Sequence, residues 1–274
     1  MSSPAKTQPV SEPPTAPSGR VRDALDVIAI LALMYAVRLL AHRLGLTFGV
    51  GAVSIVAGLA LATWLLARGG ESWRSLGWRR PSSIGAAAAW TIGTFLVLIA
   101  VLPALLRPIA AALALPPQHL ERLGDLRGDL TRFLILLLPL GWGTAAFGEE
   151  MLFRGYFNTR LARAFGGGRV ALAAAAVGQA ALFGLVHLYL GPKGVLNAFA
   201  IGLVCAAVYA ANGRNLWPLI LAHGLVDTVG LTALRLGCRT SGSPDEGSLR
   251  WRAVAEVIRA TRDLRLRYNP TSTP

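Results

Sequence analysis

Apolar residues occur in long, nearly uninterrupted blocks along most of this chain. A helix that crosses a bilayer needs about 20 mostly apolar residues. Seven blocks meet that length, and an eighth span that this pattern misses stays open as an alternative. The predicted spans are residues 24–43, 46–67, 83–106, 131–153, 169–190, 195–211 and 216–236. The pattern therefore predicts an all-α fold, a polytopic integral membrane helical bundle.

Polar segments flank the predicted bundle of residues 23–238. Residues 1–22 are predicted to be a disordered tail, because their sequence, rich in Pro, Ser and Thr, cannot bury a core. Residues 239–274 form a polar, basic tail whose second half is either an amphipathic helix on the membrane surface or a solvated segment. Residues 107–130 are predicted to be an interfacial segment or a loop.

Composition supports a membrane location and excludes several other classes. Hydrophobic residues make up 54% of the chain and charged residues only 15%. The 27 basic residues outnumber the 14 acidic ones, an excess that in membrane proteins faces anionic headgroups rather than nucleic acid. The short basic loops favour a cytoplasmic N-terminus, whereas the charge of the basic tail favours the opposite orientation. With 2 cysteines and no CxxC spacing, a disulfide scaffold, a zinc finger and an iron–sulfur cluster are not expected.

Three charged residues lie inside one apolar run, in the stretch GEEMLFRG. Ionisable groups in a bilayer are costly, and by default they face the bundle interior and mark function. Glu150 and Arg154 are spaced i,i+4 and can pair on one face of a helix. Glu149 lies about 100° round the helix and is left free. The alternative is that all three charges only mark a helix end at the headgroups. Arg38, late in the first span, is predicted to snorkel to the surface.

Two further segments carry ionisable side chains within predicted spans. ALFGLVHL places Phe183 four residues before His187, and LWPLILAHGLVDTVG places His223 four residues before Asp227, so each pair shares a helical face. His187 could instead be a structural hydrogen-bonding residue. The His223–Asp227 pair could instead only lock two helices together.

The spacing of these segments allows them to meet. Three glycines at 166–168 predict a turn between two long helices. Glu149 and His187 would both lie about 27–30 Å from that turn, at similar depth, if the first helix continues past Glu150. A tilted last helix would bring His223 and Asp227 level with them.

These groups match water activation for hydrolysis, in which a carboxylate takes the proton and donors stabilise the oxyanion. They also suit Zn²⁺, which binds His and carboxylate ligands together with a water. No GxSxG or HExxH motif is present. Cys205 has no base at a suggestive spacing.

The same residues carry a family resemblance. EEMLFR resembles the EExxxR motif of the CPBP intramembrane proteases, which include the CAAX prenyl protease Rce-type enzymes and the bacterial Abi proteins. FGLVH is similar to the family's FxxxH and HGLVD to its HxxxN/D, in the same order. The resemblance covers about residues 137–232. It implies an all-helical membrane fold with a catalytic cavity inside the bilayer.

By that resemblance, Glu149 is the base that activates water and His187 is its partner. His223 and Asp227 stabilise the oxyanion or bind a metal. The family often has Asn at the position of Asp227, and an ionised Asp cannot donate a hydrogen bond, so it would instead ligate a cation or orient His223. A supporting shell is expected from three further residues: Glu150, Arg154 and Phe183.

The resemblance implies a metalloprotease, with Zn²⁺ as the expected ion and three expected metal ligands: Glu149, His187 and His223. A glutamate mechanism that needs no metal stays open as the alternative. The expected partners are the lipid bilayer and a membrane-embedded or lipid-anchored peptide or protein. The Ala- and Arg-rich composition suggests a bacterial inner membrane. Two other functions stay open: a non-catalytic immunity or binding protein of the same fold, and a proton- or cation-coupled transporter.

Overall fold

Seven long helices run through the part of the chain that the computed structural model describes, which is residues 17–120, 123, 126–236, 255 and 259. They are α1 (Pro17–Arg43), α2 (Val50–Arg68), α3 (Ile84–Ala112), α4 (Leu130–Ala164), α5 (Gly168–Val186), α6 (Pro192–Ala211) and α7 (Trp217–Arg235). Each is long and apolar enough to cross a membrane, and no strand occurs in the described residues. The predicted all-α membrane bundle is confirmed.

Two helix boundaries correct the prediction near the chain's first half. α1 begins at Pro17 rather than at residue 23, because proline suits a first helical turn, where no backbone donor is needed. The predicted tail of residues 1–22 is therefore too long. α3 continues to Ala112, so the start of the predicted loop 107–130 is helical.

A third boundary changes the surroundings of a candidate site residue. α5 ends at Val186 and not at residue 190, and His187 follows it with φ −95° and ψ 11°. A 3₁₀ turn then leads to Gly191. His187 thus lies at a helix end. The predictions for residues 1–16 and for the tail 239–274 lie outside the described residues, apart from Ala255 and Arg259.

The turn between α4 and α5 has the predicted position. Gly166, Gly167 and Gly168 have φ values of 97°, 76° and 80°. Only glycine adopts such angles at little cost. Gly178 on α5 packs beside Leu161 on α4, so the two helices return along each other. The helix carrying GEEMLFRG continues past Glu150 up to this turn. This was the condition for Glu149 and His187 to lie at similar depth.

The middle of α4, from Leu136 to Phe157, is π-helical. Its backbone bonds connect residues five apart, as in the bond from the amide of Asn158 to the carbonyl of Phe153. Pro139 lies inside this segment, lacks an amide donor and crowds the preceding turn, which disfavours regular α-helical bonding there. Single-turn π-bulges within α-helices are frequent at functional sites, and this π-helical segment is longer than such a bulge. This one carries both glutamates of GEEMLFRG.

Packing around α4 explains its central role. The π-helical segment contacts α7 and α2, while α5 packs along α6 and α1 along α2. One core cluster joins α1, α2, α4 and α5 and includes Ile30, Leu66, Leu152 and Phe153. Many large apolar side chains point outwards instead, with Ile84 86% exposed. A surface this apolar would aggregate in water and suits lipid.

A buried ionic cluster joins α1 to the end of α4. Arg160 Nη1 lies 2.8 Å from Asp23 Oδ1 and 2.8 Å from Glu71 Oε1. Arg163 Nη1 lies 2.8 Å from the other oxygen of Glu71. Burial raises the pKa of the Glu71 carboxyl, but the hydrogen bond from Arg163 and the charge of Arg160 more than offset this and hold the pKa below its usual value. The cluster fixes one end of the helix that carries the glutamates.

A docked loop fixes the start of α7. Residues 72–81, in the loop between α2 and α3, bind the turn before α7. The amide of Leu216 donates to Gly77 O at 3.1 Å, and Arg79 Nη2 donates to Gly213 O at 2.8 Å. A side chain at Gly77 would collide with the carbonyl of Arg214. The start of the helix that carries His223 is therefore held tightly.

Candidate active site

Glu150 is the buried centre of the cluster of ionisable residues. Its side chain is 0% exposed. Oε1 lies 3.1 Å from Nη1 of Arg154, which is also fully buried. The same oxygen accepts a hydrogen bond of 2.8 Å from Nδ1 of His223 on α7. The expected i,i+4 pair with Arg154 is present, and Glu150 in addition connects α4 to α7.

Glu149, the next residue, differs from Glu150 in its surroundings. Its side chain is only partly buried. Within the described part of the chain, its carboxylate makes no hydrogen bond and no ion pair. His223 and Asp227 lie close enough to interact with it electrostatically. Two adjacent carboxylates are thus divided into one that is held and one that is available.

His187 is held in one tautomer. Its Nδ1 lies 2.7 Å from the carbonyl oxygen of Phe183. A carbonyl only accepts, so Nδ1 carries the proton, and in the neutral ring Nε2 keeps its lone pair. The ring also contacts Phe183 at 4.6 Å and stacks on Tyr189 at 5.8 Å between centroids. Nε2 is therefore the nitrogen that can exchange a proton with another group.

The two histidines are connected through the core of the bundle. The guanidinium of Arg154 lies 4.2 Å from the ring centre of Phe183, a cation–π distance. Phe183 in turn touches His187. A continuous chain of contacts therefore runs from His223 through Glu150, Arg154 and Phe183 to His187. The three residues expected to form a supporting shell are the interior members of this chain.

Asp227 approaches the second nitrogen of His223. Its Oδ2 lies 3.8 Å from Nε2 of His223, which is within ion-pair range but too long for a hydrogen bond. Asp227 is 27% exposed, against 13% for His223. His223 thus has Glu150 on its buried side and Asp227 on its more open side. This position suits a group that orients His223, one of the two roles considered for Asp227.

Trp142 sets the distance between α4 and α7 beside these residues. Its ring packs on Gly224, where an added Cβ would lie 2.5 Å from ring carbons. Its Nε1 donates to Thr228 Oγ1 at 3.1 Å. Gly224 immediately follows His223, so this contact fixes the depth of the imidazole in the site. No sequence pattern points to Trp142, because a tryptophan in a span resembles any membrane aromatic.

Arg38 corrects another expectation. Instead of snorkelling, it turns into the bundle, where Nη1 donates to Val186 O at 3.0 Å and Nε donates to Ser54 Oγ at 3.2 Å. Val186 directly precedes His187. An arginine within an apolar span was itself a signal of function. The sequence could not show in which direction the side chain turns.

Comparison with known families covers the segment that holds this site. The family model described as Type II CAAX prenyl endopeptidase Rce1-like matches residues 131–229. Over these residues the chain is similar to the Rce1-like family. No match was found among curated proteins, and none among solved structures. The Rce1-like segment includes all three motifs, whereas Arg38 and the rest of α1 to α3 lie outside it.

In the described part of the chain, the candidate site does not bring the three expected zinc ligands together. Among the described residues, no three His, Cys, Asp or Glu side chains stand close enough together to hold one metal ion. Nδ1 of His187 is engaged by Phe183 O and Nδ1 of His223 by Glu150, so only the Nε2 atoms could bind an ion. The residues do not fit a metal in this arrangement, and zinc binding by Glu149, His187 and His223 stays a prediction.

Proposed function

We propose that this protein is an intramembrane endopeptidase that hydrolyses a peptide bond in a membrane-associated peptide or protein. The observation that carries the proposal is the difference between the two adjacent glutamates. Glu150 is neutralised by Arg154 and held by His223, whereas Glu149 has no such partner in the described residues. A carboxylate without a partner, beside two oriented imidazoles, is what a water-activating base requires. The Rce1-like match supports the same reaction class.

In the proposed reaction, Glu149 takes one proton from a water molecule. The water oxygen forms a bond to the carbonyl carbon, and the carbonyl oxygen becomes an oxyanion. The C–N bond then breaks as the nitrogen receives a proton, giving a carboxylate and an amine. His187 is suited to pass that proton, because its Nδ1–H is fixed on Phe183 O and its Nε2 is left to exchange a proton.

His223 is the proposed oxyanion donor. With both nitrogens protonated, it donates Nδ1–H to Glu150 and directs Nε2–H towards the oxyanion. Asp227, 3.8 Å from Nε2, would orient the ring. A preorganised donor in a site that excludes water contributes about 2.7–4 kcal/mol to catalysis. If the protein is a metalloprotease, an ion would also bind at this site. The steps proposed above use side chains and water alone.

The substrate is proposed to reach the site from the bilayer. The bundle's outer surface is apolar, and the ionisable cluster lies within segments that span the membrane. The family's printed description names CAAX prenyl endopeptidases, so a lipid-modified C-terminal peptide is one candidate substrate. A bacterial inner membrane is the proposed location.

Cleavage of a fluorogenic peptide panel by purified protein in detergent tests this proposal. The panel includes prenylated and unprenylated C-termini, with and without a chelator. Wild type is compared with Glu149→Gln and His187→Ala, and His42→Ala serves as a control because His42 is exposed at the end of α1. The proposal is supported if only wild type and His42→Ala cleave the peptides. Loss of cleavage when the chelator is added would show that the reaction needs a metal ion. Equal cleavage by all four proteins would overturn it. Binding without cleavage of any peptide would favour the immunity or binding function.

A further inference from the structure

Arg38 makes two hydrogen bonds that join three helices. Its Nη1 donates to the carbonyl of Val186 at the end of α5. Its Nε donates to Oγ of Ser54 on α2, and that hydroxyl donates in turn to Gly51 O at 2.7 Å. Because the hydroxyl proton is committed to Gly51, the oxygen of Ser54 is fixed as an acceptor for Arg38. The guanidinium is therefore held by Ser54 on one side and binds the end of α5 on the other.

The carbonyl that Arg38 binds has no partner within its own helix. The last four carbonyls of a helix lack intrahelical donors, and α5 ends at Val186. A charge-assisted bond from an arginine satisfies this oxygen and also compensates the negative end of the helix dipole. Within lipid, where water cannot take over such a carbonyl, this bond matters more than at a protein surface.

The Val186 carbonyl belongs to the peptide unit that leads into His187. Fixing this oxygen fixes the plane of the peptide and with it the N–Cα bond of His187. Together with the φ of −95° at His187, this sets the direction of the Cα–Cβ bond. The ring is fixed independently by its Nδ1 contact with Phe183 O. Arg38 also lies close enough to His187 and to Glu149 to interact with both electrostatically.

We propose that Arg38 is a positioning residue, which holds the peptide unit before His187 and so sets where His187 Nε2 lies in the site. This inference rests on the proposed function for its kinetic consequence, but not for its structural one. It extends the working site to α1, outside the Rce1-like segment. A displacement of about 1 Å in a reacting group can cost about 100-fold in rate.

The kinetic test compares Arg38→Met with Arg43→Met, which removes an exposed arginine from the last turn of the same helix. We expect Arg38→Met to lower kcat by about 10–100-fold with KM within about twofold, because a supporting contact to a catalytic group is lost. Arg38→Lys keeps one charged donor and should recover part of kcat. An unchanged kcat, or a rise in KM alone, would overturn the proposal.

A spectroscopic test works even if no substrate is cleaved. In protein labelled with ¹⁵N-histidine, the imidazole signals of His187 are assigned by their absence in His187→Ala. We expect Arg38→Met to shift these signals and Arg43→Met to leave them in place. If Arg38→Met does not fold, Arg38→Lys and Ser54→Ala carry both measurements, with smaller changes in the same direction. Unmoved His187 signals in the variants that fold would refute the positioning role.

Discussion

Oε1 of Glu150 accepts a hydrogen bond of 2.8 Å from Nδ1 of His223. This contact joins the first and the last of the three motifs, and it assigns the two neighbouring glutamates different tasks. Glu150 is committed to Arg154 and His223, so it orients the site. Glu149 has no such partner in the described residues, and the proposed function gives it the role of activating water.

The two isosteric glutamate variants should separate stability from activity. Glu149→Gln should lower kcat by about 10²–10⁴-fold, the usual contribution of a general base. It should change the free energy of unfolding by less than about 1 kcal/mol, since no contact of Glu149 is lost. Cleavage rates and thermal unfolding in the same detergent measure both quantities. A loss of stability in Glu149→Gln as large as that in Glu150→Gln would contradict the view that Glu149 makes no stabilising contact.

Glu150→Gln should show a different pattern. It removes the negative partner of the fully buried Arg154, and an uncompensated buried charge costs about 3–5 kcal/mol. We expect a clear fall in the unfolding temperature together with loss of activity, because His223 also loses its acceptor. Retained stability would mean that the buried pair is satisfied in another way.

Asp227→Asn should be tolerated better than Asp227→Ala. The amide keeps a polar group beside His223, whose Nε2 is 3.8 Å from the present carboxylate. We expect kcat/KM within about tenfold of wild type for the Asn variant and a loss of about 10–100-fold for the Ala variant, as for other groups that orient a catalytic residue. Steady-state kinetics decides this. A loss in the Asn variant as large as that in the Ala variant would indicate that the negative charge itself is required.

Gly224→Ala should disturb the site through Trp142. The added methyl group would lie 2.5 Å from ring carbons of Trp142, and such overpacking costs about 1–3 kcal/mol. Because His223 is adjacent, activity should fall as well. Gly230→Ala is the matched control, since nothing lies within 4 Å of a Cβ there on the same helix. Equal behaviour of the two variants would show that the Trp142 contact does not position α7.

Glu71 provides a prediction about pH. Its pKa is held below the usual value by Arg163 and Arg160, so ionised Glu71 adds stability above its unfolded pKa of about 4.3. That stability is lost as the pH falls through the lower, folded pKa. Glu71→Gln should therefore be less stable than wild type near pH 7, by about 1–3 kcal/mol. The difference should shrink below about pH 4. Unfolding temperatures across this range test it, and a constant difference would contradict the ion-pair account.

Run length and motif spacing predicted most of the fold and one of the contacts in the candidate site. Apolar blocks of spanning length have few structural alternatives, and the glycines at 166–168 confined the turn. The pairing of Glu150 with Arg154 followed from helical spacing alone. In each case the deciding interaction is local along the chain.

The remaining features depend on contacts between distant segments. Periodicity relates residues of one helix, so it could not show that Glu150 binds His223 on another. Arg38 was expected to snorkel, and its bond to Val186 O at 3.0 Å depends on how the helices pack, which the sequence of α1 does not specify. The π-helical course of α4 depends on how its backbone packs against α2 and α7, which composition does not specify.

The most direct test of the central claim, that Glu149 activates the hydrolytic water, is cleavage of a membrane peptide by reconstituted protein in H₂¹⁸O. Wild-type and Glu149→Gln proteoliposomes with matched protein content are compared by mass spectrometry of the products. The account predicts one ¹⁸O atom in the new C-terminal carboxylate with wild type, and a product yield at least about 100-fold lower with Glu149→Gln. Equal yields from the two preparations, with the same labelling, would contradict it.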